Sequence, residues 1–150
     1  MRSEITNSKW IKIALISEEK VPPDKRVPFT PLQAEEIMQR FPHVSMVCQP
    51  STARCFKEVE YKELGISVYK DVSDCDILMG IKEVPIQNLI ANKTYLFFSH
   101  TLKKQPYNRK LLQEILKKKI RLIDYETLKD QQGNRLVAFG RYAGIVGAYN

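Results

Sequence analysis

The chain is poor in the features that most directly announce a function. It has three cysteines, Cys48, Cys55 and Cys75, with no CxxC pair and no histidine at metal-ligand spacing from any of them. An odd count without a leader pattern argues against a disulfide framework, and the spacing argues against zinc. Buried free thiols are the expectation. No G-x-G-x-x-G follows an apolar run, so no dinucleotide-binding loop is expected in these residues. Gly140, Gly144 and Gly147 have the wrong spacing for one. No apolar run approaches the roughly 18 residues that cross a bilayer. Met1–Trp10 is polar, and Ile11–Ile16 is too short for the core of a secretory leader. A soluble, cytoplasmic protein is expected.

What remains is globular in character: 150 residues, 43% hydrophobic and 27% charged, one domain's worth of chain. Lys and Arg total 24 against 17 Asp and Glu, a net charge of +7. Much of the surplus, Lys103, Lys104, Arg109, Lys110, Lys117, Lys118, Lys119 and Arg121, falls in one short region. No aromatic-rich RNA-binding pattern, zinc-finger spacing or basic-zipper heptad accompanies it. A solvated helix face is therefore expected there rather than nucleic-acid binding.

The apolar pattern alternates strand-like and helix-like segments. Ile11–Ser17, Val44–Cys48, Ile66–Tyr69, Asp76–Ile81, Thr94–Phe98 and Ile120–Tyr125 read as strands, with Leu136–Phe139 a short edge strand. Prolines 22, 23 and 28 make 20–29 a loop. Thr30 is a candidate N-cap with Pro31 at the first helical position and Gln33 completing a capping box. That helix would turn Leu32, Ala34, Ile37, Met38 and Phe41 inward and stop at Pro42. Short helices are expected at Val59–Leu64 and Ile86–Ile90. A longer one runs from Pro106 to Lys119, with Leu111, Leu112, Ile115 and Leu116 inward. Such alternation implies a Rossmann-like or flavodoxin-like α/β fold, an open and mostly parallel sheet with helices on both faces. From Arg141 the chain reads as the start of an interdomain helix. The expected division is a domain over 1–140 and the beginning of a link over 141–150.

In open α/β sheets, ligands bind beyond the carboxyl ends of the strands. Lys25 and Arg26 follow the first strand, Lys82 and Glu83 the fourth, Ser99 and His100 the fifth, and Asp124 and Glu126 the sixth; Arg141 comes later. Singly, each has an ordinary structural reading, since a lysine is usually solvated and a histidine often satisfied in place. Together they suit amino-acid chemistry. Arginine binds carboxylates through two parallel hydrogen bonds. A lysine in a cationic, partly dry pocket can accept a proton from an amine, and a histidine can polarise a carbonyl or deliver water to an imine.

These segments also carry a family likeness. Lys25–Pro31 (KRVPFTP), Ile81–Pro85 (IKEVP) and Phe98–Thr101 (FSHT) resemble three ordered segments of the alanine dehydrogenase and pyridine nucleotide transhydrogenase amino-terminal domain. The second half is similar to lysine-forming saccharopine dehydrogenases and lysine–oxoglutarate reductases. Phe139–Gly144 departs from the Pro-Met-Ser segment of alanine dehydrogenases, which counts against alanine as substrate. The resemblance implies the substrate-side part of an NAD(P)-dependent oxidoreductase acting on CH–NH bonds in lysine metabolism. Its cofactor, NAD or NADP, would be held mainly by a second domain outside this chain, without metal, membrane or nucleic-acid partners. It implies Lys82 and His100 as the catalytic pair and Arg26 and Arg141 as carboxylate binders, with Glu83 and Ser99 beside them in the substrate site. An alanine dehydrogenase or transhydrogenase-like domain and a non-catalytic amino-acid-binding module are the alternatives.

Overall fold

A computed structural model describes residues 9–139 together with 144, 145, 147 and 148. Arg141 and most of the expected interdomain helix lie outside the described residues. Six strands form a single sheet: β1 (Ile11–Leu15), β2 (Val44–Cys48), β3 (Ser67–Val68), β4 (Ile77–Met79), β5 (Thr94–Phe97) and β6 (Arg121–Asp124). Their order is β3-β2-β1-β4-β5-β6, and every pairing is parallel. Of the two doubly wound orders, this is the one that reverses between β1 and β4. The helices are α1 (Pro31–Arg40), α2 (Glu58–Glu63) and α3 (Arg109–Lys117).

Local chemistry explains the elements that matter for the site. The Thr30 hydroxyl accepts the Gln33 N–H at 3.3 Å and the Gln33 side chain accepts the Thr30 N–H at 3.0 Å, so α1 begins where its capping box says it should. The strands are short and apolar because both faces are covered. Alternate residues feed two cores. Ala14, Val47, Leu78, Tyr95 and Phe97 pack with Leu111 and Ile115 of α3. Leu15, Met46, Cys48, Met79 and Phe98 pack with Ala34 of α1 and Tyr61 of α2.

Three expectations need correction. Leu112 and Leu116 are 40% and 70% exposed; α3 rests on a narrow stripe, because only Leu111 and Ile115 pack into the core on that face of the sheet, and Pro106–Asn108 ahead of it is a separate 3-10 turn. Leu32 on α1 and Phe41 at its C-cap are likewise exposed, with Pro31 and Ala34 taking the buried positions. Leu136–Phe139 is not a strand. A turn with Gly133 at φ 87° leads instead to one isolated antiparallel bridge, Lys129 with Arg135. Of the thiols, Cys48 and Cys75 are buried and Cys55 is exposed. No helix among the described residues is long and apolar enough to cross a membrane.

Candidate functional site

Beyond β1 and β4 the chain leaves in opposite directions, to β2 on one side and β5 on the other, and in sheets of this order ligands bind at the carboxyl ends beside that reversal. The last ladder bond there is Ile16 N–H to the Met79 carbonyl, 3.0 Å. Past it, the Glu18 carboxylate takes over. One oxygen accepts the Ile81 N–H at 2.6 Å and the other accepts the Lys82 N–H at 2.9 Å. Burial pushes the Glu18 carboxyl above the usual glutamate range, opposed by those two hydrogen bonds.

Asp24 and Arg26 occupy the proline-rich loop that follows. The guanidinium donates through Nε at 2.9 Å and through one terminal nitrogen at 2.6 Å, a two-pronged pair. The Arg26 guanidinium holds the Asp24 carboxyl below its usual range, and the Lys82 charge adds to that. Arg26 also lies over the Phe139 ring, 4.4 Å from its centroid. The surroundings of Lys82 thus include two carboxylates, Glu18 and Asp24, so the expected purely cationic pocket is not found.

On the far side, β5 and β6 end on a buried polar cluster. The Ser99 hydroxyl donates to Asp124 at 2.5 Å, and its N–H donates to the same oxygen at 3.2 Å. The other Asp124 oxygen accepts the Glu126 N–H at 2.9 Å. Ser99 is fully buried, so its hydroxyl braces the two strand ends. His100 follows in the left-handed region at φ 55°, which is uncommon for a residue with a side chain. Its carbonyl is held by the Asn108 side-chain amide at 3.1 Å. The imidazole stacks on Phe98 at 6.4 Å, and its Nδ1 is 3.4 Å from the Glu126 carboxylate. Glu126 is also approached by Lys103 at 3.3 Å and Arg135 at 3.6 Å.

Contacts run continuously between the two sides. Phe98 meets Tyr125 and Phe139 edge-on at 5.1 and 5.8 Å, and Phe139 reaches Arg26. The Tyr125 hydroxyl is buried without a hydrogen-bond partner among the described residues. Burial, reinforced by the Glu18 charge, raises its pKa. Arg26, Lys82 and His100 therefore stand on one rim. Glu83 points elsewhere: its carboxylate pairs with Lys20 at 2.7 Å. No group of three or more His, Cys, Asp or Glu among the described residues could hold a metal ion.

The family described as "Alanine dehydrogenase/PNT, N-terminal domain" matches residues 15–146. The chain belongs to this family. The chain is also 39% identical over 127 residues to the mitochondrial alpha-aminoadipic semialdehyde synthase of Mus musculus, covering 85% of this chain and 14% of that one. It is 30% identical over 143 residues to the saccharopine dehydrogenase [NAD(+), L-lysine-forming] of Emericella nidulans, covering 91% of this chain and 37% of that one. The chain thus spans about a seventh of the first relative and little more than a third of the second. A solved L-alanine dehydrogenase superposes with a TM-score of 0.67 over 83% of this chain and 35% of that chain, at 14% identity, a likeness of fold alone.

Sequence reasoning missed Glu18, Asp24 and Tyr125 in this alanine dehydrogenase/PNT domain. It noted Asp124 and Glu126 only as strand-end residues. Their signal was position: Asp124 ends β6, Tyr125 and Glu126 follow it, and Glu18 and Asp24 lie in the loop after β1. Nothing in the local pattern distinguishes the half-buried Glu18 from the exposed Glu19 beside it.

Proposed function

We propose that this segment is the substrate-side domain of an NAD(P)-dependent oxidoreductase acting on the CH–NH bond of an amino acid, with lysine, 2-oxoglutarate and their secondary-amine adduct as the substrate class. Residues 1–140 would form that domain, and 141–150 would begin the link to a cofactor domain. What supports the proposal is that Arg26, Lys82 and His100 all follow strands at the carboxyl rim of a sheet whose sequence is 30% identical to part of a lysine-forming saccharopine dehydrogenase. The mitochondrial name of the mouse relative removes the cytoplasmic expectation from the proposal.

In this reading Lys82 accepts a proton from the substrate amine, and His100 exchanges a proton with the carbonyl oxygen or the water that attacks the imine. On its Nδ1 side the imidazole faces the Lys103 ammonium and the Glu126 carboxylate, each 3.4 Å away, leaving Nε2 for the substrate. Arg26 has two donors engaged by Asp24 and keeps others for a substrate carboxylate. Arg141 would add a second such contact. Ser99 acts by bracing His100 through Asp124, and Glu83 acts through Lys20.

The dinucleotide itself does not fit these residues. The turn after β1, where a pyrophosphate would rest in this strand order, carries the Glu18 carboxylate and three prolines in place of glycines and free N–H groups. No hydride step is therefore derived from this domain. The test is turnover by the full-length protein. Oxidation of NADH or NADPH dependent on both lysine and 2-oxoglutarate is expected. Turnover of alanine and pyruvate instead would favour the alanine dehydrogenase reading. Binding of an amino acid without turnover would favour the binding module.

A further inference from the structure

The most economical use of a half-buried carboxylate is to satisfy nearby donors, and Glu18 does this at one chosen place. It satisfies two successive N–H groups, those of Ile81 and Lys82, at 2.6 and 2.9 Å. These donors sit just past β4, where pairing with β1 has ended and the backbone would otherwise have no partner on that side. Glu18 lies three residues past the end of the neighbouring strand β1, so its fork replaces the missing ladder with a side chain. Gly80 makes the approach possible. A Cβ there would lie 3.1 Å from Ile16 and 3.2 Å from a Glu18 oxygen, tighter than ordinary contact.

The arrangement has a cost. Burial disfavours the charged form of Glu18, and Asp24 adds a like charge, offset in part by Arg26. A clamp serving stability alone could use a neutral acceptor; the carboxylate is needed because two N–H groups converge and each requires an oxygen. The second of them belongs to Lys82. Fixing that peptide fixes the direction in which the Lys82 side chain leaves the backbone.

We infer that Glu18 is a positioning residue for Lys82, holding the β4 end through its two main-chain N–H groups so that the lysine amine is aimed at the substrate. This deepens the proposed function and rests on Lys82 acting there. Glu18→Gln is the sharp probe because it preserves size. Its amide nitrogen must then face one of the two N–H groups, donor against donor, which opens the fork. A displacement of about 1 Å can cost a reaction 100-fold.

The experiment compares full-length wild type, Glu18→Gln and Glu18→Asp. It reads kcat and KM for lysine with 2-oxoglutarate, thermal unfolding, and the rate at which an acylating reagent labels the Lys82 amine, followed by peptide mapping. Glu18→Gln is expected to lower kcat roughly 10- to 100-fold with KM within about threefold and a midpoint within a few degrees of wild type. Its Lys82 labelling rate should change at least about threefold. Glu18→Asp retains two acceptor oxygens and should recover part of kcat. An unchanged kcat and labelling rate in Glu18→Gln would overturn the inference. If wild type does not turn over these substrates, the proposed function falls; a changed labelling rate then still supports positioning of Lys82 by Glu18, and an unchanged one overturns it.

Discussion

The two rims of the sheet hold charge in opposite ways. At the amino ends of the strands, Lys9, Trp10, Lys93, Lys119 and Arg121 line an open depression of about 460 Å³ with Asp76. Lys9, Lys119 and Arg121 are exposed, and none of the four cations forms an ion pair among the described residues. At the carboxyl ends, Asp124 and Glu126 are buried and Glu18 is half-buried, and each oxygen of Glu18 and Asp124 that accepts a bond has a specific donor. Cavity size would favour the first rim. The cost of placing charge favours the second, because buried ionised groups persist only when partners are built for them. The lesson is that water supports the amino rim, whereas the fold itself supports the carboxyl rim.

Substitutions can break this contrast. The largest effect is expected at the carboxyl rim: Lys82→Met or His100→Gln in the full-length protein should each lower turnover at least about 100-fold, read from steady-state kinetics. Wild-type rates in both would remove their roles. Next comes Asp124→Ala, which leaves the Ser99 N–H and hydroxyl and the Glu126 N–H without their acceptor. A loss of about 2–3 kcal/mol is expected, visible as a thermal midpoint lower by roughly 5–10 °C. A shift under about 1 °C would mean that the buried cluster carries no such weight.

Thr30→Ala removes the α1 cap and should cost about 1 kcal/mol in denaturant unfolding with little change in the slope of the transition. It sharpens the contrast by showing what one ordinary exposed hydrogen bond contributes. The smallest effect belongs to the amino rim. Lys119→Met should alter stability by no more than about 0.5 kcal/mol, measured the same way.

Much of the fold was legible because its signals are local. Thr30, Pro31 and Gln33 write the start of α1 in three residues, and short apolar runs mark strands covered on both faces. The misreadings came where the outcome depends on distant packing. Leu112 and Leu116 satisfy a helical apolar pattern, yet the sheet offers room only for Leu111 and Ile115. Leu136–Phe139 is apolar enough for a strand, but a turn at Gly133 directs it across the rim, where Phe139 meets Arg26 and Phe98. The site was half legible for the same reason. Lys82 and His100 are visible as reactive side chains after strands. The carboxylates beside them are not, because Glu18 reaches the end of β4 across 63 residues of sequence and Glu126 reaches His100 across 26.

The contrast between the rims is tested most directly by one paired measurement: turnover of lysine with 2-oxoglutarate by the full-length protein carrying Lys82→Met, beside the same protein carrying Lys119→Met. Both remove one lysine charge from one end of the same sheet. The expected result is a loss of at least about 100-fold for Lys82→Met and a rate within about twofold of wild type for Lys119→Met. Equal losses, or the larger loss at Lys119, would contradict the account.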